Sequence, residues 1–413
     1  MCTDVRLVQL ADLHVSARTM DFAEELESKL QVVPVGQQWS ATRTHSDVET
    51  LRWTNAHGYV AMDAFGFEWA ACDGLNDAGL SIGTLWLPET TLPAKPPASG
   101  PAPAIDLIHF GSWILGTCAT VQDVRAAFAG VQVWNAPVRM LWPADRTMPD
   151  MVKPLLDFAF PMHLAVHDAH GGDLVVEFLE GAPVFHDNPV GVLTNSPTFD
   201  WHNTNLRNYV NLTNAEATPV NLMGVAVNPT GNGTGLLGLP GDVTPPSRFI
   251  RATVLSTVSV TAKDARTAVN QAFHALDLVH VPRQVAASGD YTQWYVVRDH
   301  DNLVYHVRTY DSWDTESHDL RLLGVAIQLG ARAGGSQGPV VKSSVRTWYL
   351  SLPHLWAVAR YEWTTANSVR PCSVRQAPPE VRCWILTGRT SRSAWLFVQL
   401  TDRSVANRRI MSW

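Results

Sequence analysis

The chain opens Met1-Cys2-Thr3-Asp4-Val5-Arg6, and a second strand-forming run follows at Val15-Ser16-Ala17-Arg18-Thr19-Met20-Asp21. Methionine is readily trimmed ahead of a small residue, so a mature chain can begin with Cys2. Such a residue holds a thiol and a free α-amine on one Cα. An α-amine titrates near about 8, so it can act as a base close to neutrality. One residue then supplies both nucleophile and general base. Position alone is weak support, since second-position cysteines commonly sit in disordered termini. Arg18 and Asp21 become partners if the first two strands pair as neighbours. A guanidinium beside a thiol favours the thiolate, and a carboxylate orients the amine and stabilises its protonated form. By itself so short an Arg–Asp motif reads as a surface pair near a hairpin.

Composition sets the frame. With 413 residues the chain has room for one large domain or two, and 46% apolar and 17% charged residues suit a globular protein. No run approaches the roughly 20 apolar residues of a membrane span, and no basic segment followed by an apolar run marks a secretory signal. The default expectation is cytoplasmic, although a trimmed periplasmic precursor would read the same way. Cys2, Cys72, Cys118, Cys372 and Cys383 show neither metal-ligand spacing nor a disulfide framework. The net charge of −7 argues against a nucleic-acid partner.

That average hides a break. Residues 331–413 carry twelve Arg or Lys against three acids, a net of +9, whereas residues 1–330 net −16. The 331–413 segment also holds six of the sixteen tryptophans and follows no sustained helical or strand period. It reads as an atypical basic tail: an interaction module, a disordered extension, or the product of a shifted reading frame. No chemistry is assigned to it. The expected division is therefore a 2–330 domain followed by this tail.

Within 1–330, strands are expected at Val5–Leu10, Val15–Arg18, Leu30–Val35, Gly58–Met62, Phe65–Ala71 and Leu80–Leu87. A Pro-rich linker, Pro88–Pro103, precedes helices at Ile105–Leu115 and Val121–Ala129, the latter with Thr120 as N-cap. Ala169-His170-Gly171-Gly172 signals a hairpin between His163–Asp168 and Asp173–Leu179. Helices follow at Arg248–Ser256 and Ala262–Leu276, and a late hairpin at Trp294–Arg298 and Leu303–Thr309. Strands and helices in blocks favour an α+β layered antiparallel sandwich.

Several segments are then familiar together: Cys2-Thr3, Arg18-Thr19-Met20-Asp21, Cys72-Asp73-Gly74-Leu75-Asn76-Asp77-Ala78-Gly79-Leu80, and Thr194-Asn195-Ser196-Pro197-Thr198-Phe199-Asp200-Trp201. Asn205-Leu206-Arg207-Asn208-Tyr209, Gly238-Leu239-Pro240-Gly241-Asp242, Pro246-Ser247-Arg248-Phe249 and the Tyr291–Tyr310 hairpin continue the series. In this order they resemble the choloylglycine hydrolase and penicillin V acylase family, across roughly residues 2–315.

The resemblance implies a four-layer αββα N-terminal-nucleophile fold of two antiparallel sheets between helices. It implies cysteine-dependent hydrolysis of linear amides, such as conjugated bile salts, penicillin V or N-acyl homoserine lactones, through a thioester on Cys2. Cys2 would be the nucleophile and its amine the base, with Arg18 and Asp21 holding that residue. Asn195 would give its side-chain amide to an oxyanion hole, and Arg248 would stabilise developing charge. Outside the family context, Asn195 reads as a turn residue and Arg248 as an exposed residue opening a helix. Trp86 stands where many bile salt hydrolases carry Asn and some penicillin V acylases Tyr. Its backbone N–H would complete the oxyanion hole, and its ring would bear on substrate choice. The resemblance calls for no metal or organic cofactor, for a small-molecule amide as partner, and is compatible with a homotetramer. Two alternatives stand beside it: a non-catalytic binding protein that keeps the fold, favoured by a retained Met1, and a hydrolase built on a Cys–His pair.

His163, His167 and His170 invite a zinc reading. On a strand His163 and His167 share a face but lie about 13 Å apart at roughly 3.3 Å per residue. The expectation for them is hairpin surface.

Overall fold

In the computed structural model the described residues are 1–7, 12–41, 50–93, 102–141, 153, 157, 159–259 and 261–323. Beyond these, strand segments are described at 348–352, 355–359, 370–371, 381–387 and 394–400. The chain divides into two compact units, Met1–Val340 and Val341–Trp413.

Two antiparallel sheets form the centre of the first unit. In the first, the strands run in the order Val192–Leu193, Cys2–Arg6, Val15–Phe22, Tyr291–Asp299, Val304–Thr309, Ser312–Asp319. In the second, the order is Ala182–Asp187, Asp173–Leu179, Met162–His167, Ser81–Trp86, Phe67–Asn76, Tyr59–Ala64, Leu30–Val33. Helices Pro245–Val258 and Ala265–Asp277 pack on the first sheet, and Phe110–Thr117 packs on the second. The layers are therefore helix, sheet, sheet, helix, the αββα arrangement expected from the resemblance.

Side-chain alternation explains the layering. Along Met162–His167, Leu164 and Val166 join the core formed with helices Phe110–Thr117 and Val121–Phe128, while Ala165 points into the core between the sheets. Both faces of each sheet are covered, so these strands are buried almost throughout. Helix Val121–Phe128 begins as expected. Thr120 accepts from the Asp123 N–H at 3.2 Å and Asp123 accepts in return from the Thr120 N–H at 2.9 Å. Such a cap contributes about 1 kcal/mol.

Two glycines permit close approach. A Cβ at Gly111 would stand 1.8 Å from the Ala71 carbonyl oxygen, so glycine lets the helix lie directly on its strand. At Gly83 a Cβ would meet Asp4 Oδ2 at 2.7 Å and Arg18 Cδ at 3.1 Å, so its absence makes room for charged groups between the sheets.

The structure corrects several expectations. Ala104–Asp106 is a strand, parallel to Gln132–Trp134, rather than the start of a helix. The helix follows as a 3-10 turn, Leu107–His109, and then Phe110–Thr117. The first strand is Cys2–Arg6, and the rest of the expected Val5–Leu10 run lies outside the described residues from 8 onward. Part of the Pro88–Pro103 linker, 94–101, also lies outside them. The hairpin at His163–Leu179 forms, but His163 and His167 are fully buried and only His170 is on the surface. The reason is the second sheet's position: its inner face meets another sheet, so polar residues at period two do not mark solvent.

The hairpin of strands Val220–Leu222 and Val225–Val227 is exposed along its length, with Leu222 59% and Met223 fully exposed. In the second unit, Trp348–Leu352 pairs with Leu355–Ala359, and Arg370–Pro371, Val381–Thr387 and Ala394–Leu400 form a three-stranded sheet. Among the described residues no helix is long and apolar enough to cross a membrane.

Candidate active site

The first two strands do pair as neighbours, with Cys2 opposite Met20 and Asp4 opposite Arg18. Residues directly opposite share a face, so Cys2, Asp4, Arg18 and Met20 all point toward the second sheet. Thr3, Thr19 and Asp21 point the other way, toward helix Pro245–Val258. One short hairpin thus presents two sets of polar groups, one on each side of Cys2.

On the inner face, Arg18 is wholly buried and its Nη2 donates to Cys2 Sγ at 3.3 Å. Nη1 donates to the Cys72 carbonyl at 2.6 Å and to Asp73 Oδ2 at 3.1 Å, and Nη2 also reaches the Thr84 carbonyl. Burial disfavours its charge, but Cys2 and Asp73 outweigh burial and hold the guanidinium more firmly protonated than usual.

On the outer face, Arg248 sits in the first turn of its helix, and it too is buried, not exposed. Its Nη1 donates to the Cys2 carbonyl at 2.6 Å and to Thr3 Oγ1 at 2.5 Å, and Nη2 donates to Asn195 Oδ1 at 2.9 Å. Asp21 lies 3.7 Å from Arg248 and accepts from Thr292 Oγ1 at 2.6 Å.

Asn195 closes the site from the loop after strand Val192–Leu193. Its Oδ1 accepts from the Cys2 N–H at 2.7 Å as well as from Arg248, and its Nδ2 donates to the Trp86 carbonyl at 2.9 Å. Two donors on one atom fix the amide's orientation, because only the oxygen can accept both. Trp86 ends its strand. Leu87 N–H bonds the Pro161 carbonyl, so by antiparallel alternation the Trp86 N–H faces away from strand Met162–His167, on the edge where its carbonyl meets Asn195. All six residues expected at the site, Cys2, Arg18, Asp21, Trp86, Asn195 and Arg248, therefore converge.

Around them stand residues that sequence reasoning did not single out. His202 holds the Asn195 carbonyl at 2.8 Å from Nε2, with its ring stacked on Phe249 at 4.6 Å and 15°. Burial pushes it down to about 4, so it is a neutral donor. His163 lies 3.0 Å from the Thr194 carbonyl and 3.3 Å from Glu177 Oε1. Burial would raise Glu177, but His163, His186 and the Phe199 N–H hold it down to about 2. The Asn195 loop is thus clamped at two successive carbonyls.

Deeper between the sheets, Arg298 donates to Asp73 Oδ1 at 3.0 Å, Asp4 Oδ2 at 3.0 Å and Ser16 Oγ at 3.1 Å, and contacts Asp73 Oδ2 as well. Tyr305 donates to Asp73 at 2.8 Å. His167 bridges Asp4 at 2.7 Å and Asp173 at 2.6 Å. Burial opposes its charge, yet the two carboxylates raise it to about 9.

In front of Cys2 opens a pocket of about 880 Å³, solvent at its mouth included. Its walls include Phe22, Phe65, Trp69, Trp86, Phe160 and Met162, and its charged groups are confined to Asp21 and the terminus itself. Trp86 lies 6.0 Å from Phe22 and 6.2 Å from Phe160 between ring centroids. Among the described residues no group of three His, Cys, Asp or Glu side chains is disposed to hold a metal ion.

A two-sheet sandwich with a buried Cys2 between guanidinium, amide and apolar pocket is the architecture of an N-terminal-nucleophile-type amide hydrolase. Residues 2–325 match the linear amide C–N hydrolases of the choloylglycine hydrolase family, and the chain belongs to that family. It is 28% identical over 324 residues to a bile salt hydrolase/transferase of Clostridium perfringens, covering 78% of this chain and 92% of that one. It is also 28% identical over 193 residues to a penicillin V acylase of Pectobacterium atrosepticum, covering 46% and 47%. The crystal structure of a variant of the conjugated bile acid hydrolase from Clostridium perfringens superposes with a TM-score of 0.66 at 25% identity, over 78% of this chain and 93% of that one.

Proposed function

We propose that the chain, once Met1 is removed, hydrolyses linear amides of apolar acyl groups through a thioester on Cys2. The observation that carries this reading is the buried Cys2, whose sulfur takes a guanidinium N–H from Arg18 at 3.3 Å while its nitrogen is held by Asn195 at 2.7 Å. With Met1 gone that nitrogen becomes the α-amine, already directed by Asn195. It takes the thiol proton as the sulfur attacks the amide carbonyl. Arg18 balances charge at the sulfur. The second hydrogen of Asn195 Nδ2 and the Trp86 N–H receive the oxyanion, an interaction worth about 3–4 kcal/mol of barrier. The C–N bond breaks, the amine delivers its proton to the leaving nitrogen, and water activated by the same amine releases the acid. Asp21 and Arg248 position Cys2 from its outer side. No step needs a metal or organic cofactor.

The apolar walls support acyl groups without charge at depth, such as an aryloxyacetyl, a long alkyl or a steroid acyl group. Conjugated bile salts, penicillin V and N-acyl homoserine lactones all satisfy this. We also propose a cytoplasmic protein that self-associates, with the apolar Val220–Val227 hairpin as the contact. Sedimentation of a Met223→Asp variant, expected to shift to the monomer, checks that contact.

The direct test is amine release from glycocholate, taurocholate, penicillin V and a long-chain N-acyl homoserine lactone, with Cys2→Ala protein alongside. Release that is lost in the variant is expected. Release that persists in it would point to the Cys–His alternative, and none from protein lacking Met1 would point to the binding protein.

A further inference from the structure

We propose that His202 is a positioning residue for the oxyanion step: by holding the Asn195 carbonyl it fixes the Asn195 side-chain amide while charge moves around it. This rests on the amidohydrolase reading above and extends it to a residue outside the pocket wall.

The Asn195 amide works among partners whose charge changes during turnover. Its Oδ1 accepts from the Cys2 nitrogen at 2.7 Å and from Arg248 at 2.9 Å, and its Nδ2 donates to the Trp86 carbonyl at 2.9 Å. In the acylation step the C–S bond forms and the Cys2 amine takes the thiol proton, becoming an ammonium. The substrate carbonyl oxygen gains the negative charge that Nδ2 receives. The proton then passes to the leaving nitrogen as the C–N bond breaks. An ammonium and an oxyanion thus pull on opposite ends of one amide. A donor lowers the barrier only if it does not reorganise at that moment, so Asn195 needs a hold independent of these partners.

That hold is on the main chain. The Asn195 Cα lies between two peptide planes, and a histidine donates to the carbonyl of each. His163 Nε2 reaches the Thr194 carbonyl at 3.0 Å, and His202 Nε2 reaches the Asn195 carbonyl at 2.8 Å. Carbonyls only accept, so both Nε2 atoms carry hydrogen. With both planes held, the Cα–Cβ bond keeps one direction whatever the charges at the end of the side chain.

His202 is suited to this by more than its distance. It is wholly buried in helix Phe199–Asn205, and its ring stacks on Phe249 at 4.6 Å and 15°, which opposes tilting. Its Nδ1 has no hydrogen-bond partner among the described residues, a cost that an apolar ring of the same shape would avoid. What the histidine adds over such a ring is the Nε2 donor. Burial pushes it down to about 4, so it stays neutral and keeps that tautomer near neutral pH. Phe249 is next in the chain to Arg248, whose Nη2 donates to Asn195 Oδ1, and Thr194 Oγ1 donates to the Pro245 carbonyl at 3.1 Å. One stretch of helix Pro245–Val258 therefore seats the clamp, the loop and the amide together. His163 is the poorer probe, because it faces Glu177 Oε1 at 3.3 Å and its replacement unpairs a buried carboxylate.

Two substitutions separate the donor from the ring. His202→Phe keeps a ring on Phe249 and removes the donor, whereas His202→Gln removes the ring and keeps an N–H for the same carbonyl. In protein shown by mass to lack Met1, kcat and KM are measured with glycocholate, penicillin V and a long-chain N-acyl homoserine lactone. Melting temperatures report folding. His202→Phe is expected to lower kcat about thirtyfold, less than the roughly hundredfold or more that outright loss of an oxyanion donor costs. KM should change less than about twofold, since the contact acts in the transition state. The factor should be the same on every substrate turned over, because the oxyanion is common to all. His202→Gln should recover most of the loss even where it melts lower than His202→Phe. A ring that only fills space gives the opposite order in kcat. That order, equal or unchanged kcat in the two variants, or a loss confined to KM or to one substrate would overturn the role. Should His202→Phe fail to fold, His202→Met removes the same donor with a flexible side chain, and failure of both would make the contact structural and overturn the role too. No turnover by the unmutated enzyme would instead overturn the amidohydrolase reading, and the role with it.

Discussion

Behind Cys2, between the two sheets, Asp4, Arg18, Asp73, His167 and Arg298 bury five ionisable side chains with almost no solvent contact. In front of it, the pocket turns Phe22, Phe65, Trp69, Trp86 and Phe160 toward an open volume. Both regions lie beside the same thiol, yet one is filled with paired charge and the other is lined by apolar rings. Buried charges are tolerable only when each has partners, and partners at several points fix geometry. Arg18 is held by three acceptors besides the sulfur, so its guanidinium cannot swing away when the sulfur changes charge. The pocket imposes no such matching, and is suited to accept apolar groups of varied outline. The seam is positioned for rigidity and the pocket for binding.

The comparison breaks most visibly at Arg298. Replacing it with methionine leaves Asp4 and Asp73 short of a shared partner in a fully buried layer, a change expected to cost about 3–5 kcal/mol. Urea denaturation measures it. A loss below about 1 kcal/mol would mean the seam contributes little that a hydrophobic layer could not.

A smaller effect is expected from pH. His167 is raised to about 9 in the folded protein, so its stabilisation is complete below the ordinary value of about 6.5 and is lost as pH climbs through 9. His300 and His202 run the other way. Burial lowers them to about 3 and about 4, so below about 6.5 the unfolded chain binds protons the folded one refuses, and stability falls. Stability should therefore peak near about pH 6.5. His167 alone should account for roughly 3 kcal/mol of the decline toward alkaline pH. Denaturation curves of the wild type and His167→Gln near pH 6.5 and above pH 9 separate the contributions. A variant that declines as steeply as wild type would remove His167 from the seam's energetics.

The sequence made the two regions unequally legible. The nucleophile hairpin was readable because its partners are near in the chain: Cys2 and Arg18 need only one strand pairing to meet. Asn195 and Arg248 were readable only through resemblance, since nothing local in Asn195-Ser196-Pro197 distinguishes a turn from a clamp on Cys2. The seam was not readable. Asp4 and Arg298 are 294 positions apart and His167 lies between them, so no spacing rule joins them. The histidines were read as surface for a physical reason. Strand alternation tells which residues share a face, but it does not tell whether water or a second sheet covers it. Gly83 is the nearest thing to a local trace of the seam, because a strand glycine marks close approach.

Trp86 tests the pocket side and is expected to give the smallest change in folding. It is half-buried at a strand end and touches Phe22 and Phe160, so truncation to alanine opens the wall of the pocket. Its main-chain N–H and carbonyl remain, which keeps the contact with Asn195. The expected result is a rise in KM with kcat nearly unchanged, about 1.5 kcal/mol or roughly tenfold in kcat/KM, for the bulkiest acyl group tested. Folding stability should fall by less than about 1 kcal/mol. A large fall in kcat at unchanged KM would show that the ring positions the backbone donor, and a loss of folding stability comparable to Arg298→Met would place this wall in the scaffold. In either case the division between a rigid charged seam and an adaptable apolar pocket would have to be redrawn, with Trp86 on the rigid side.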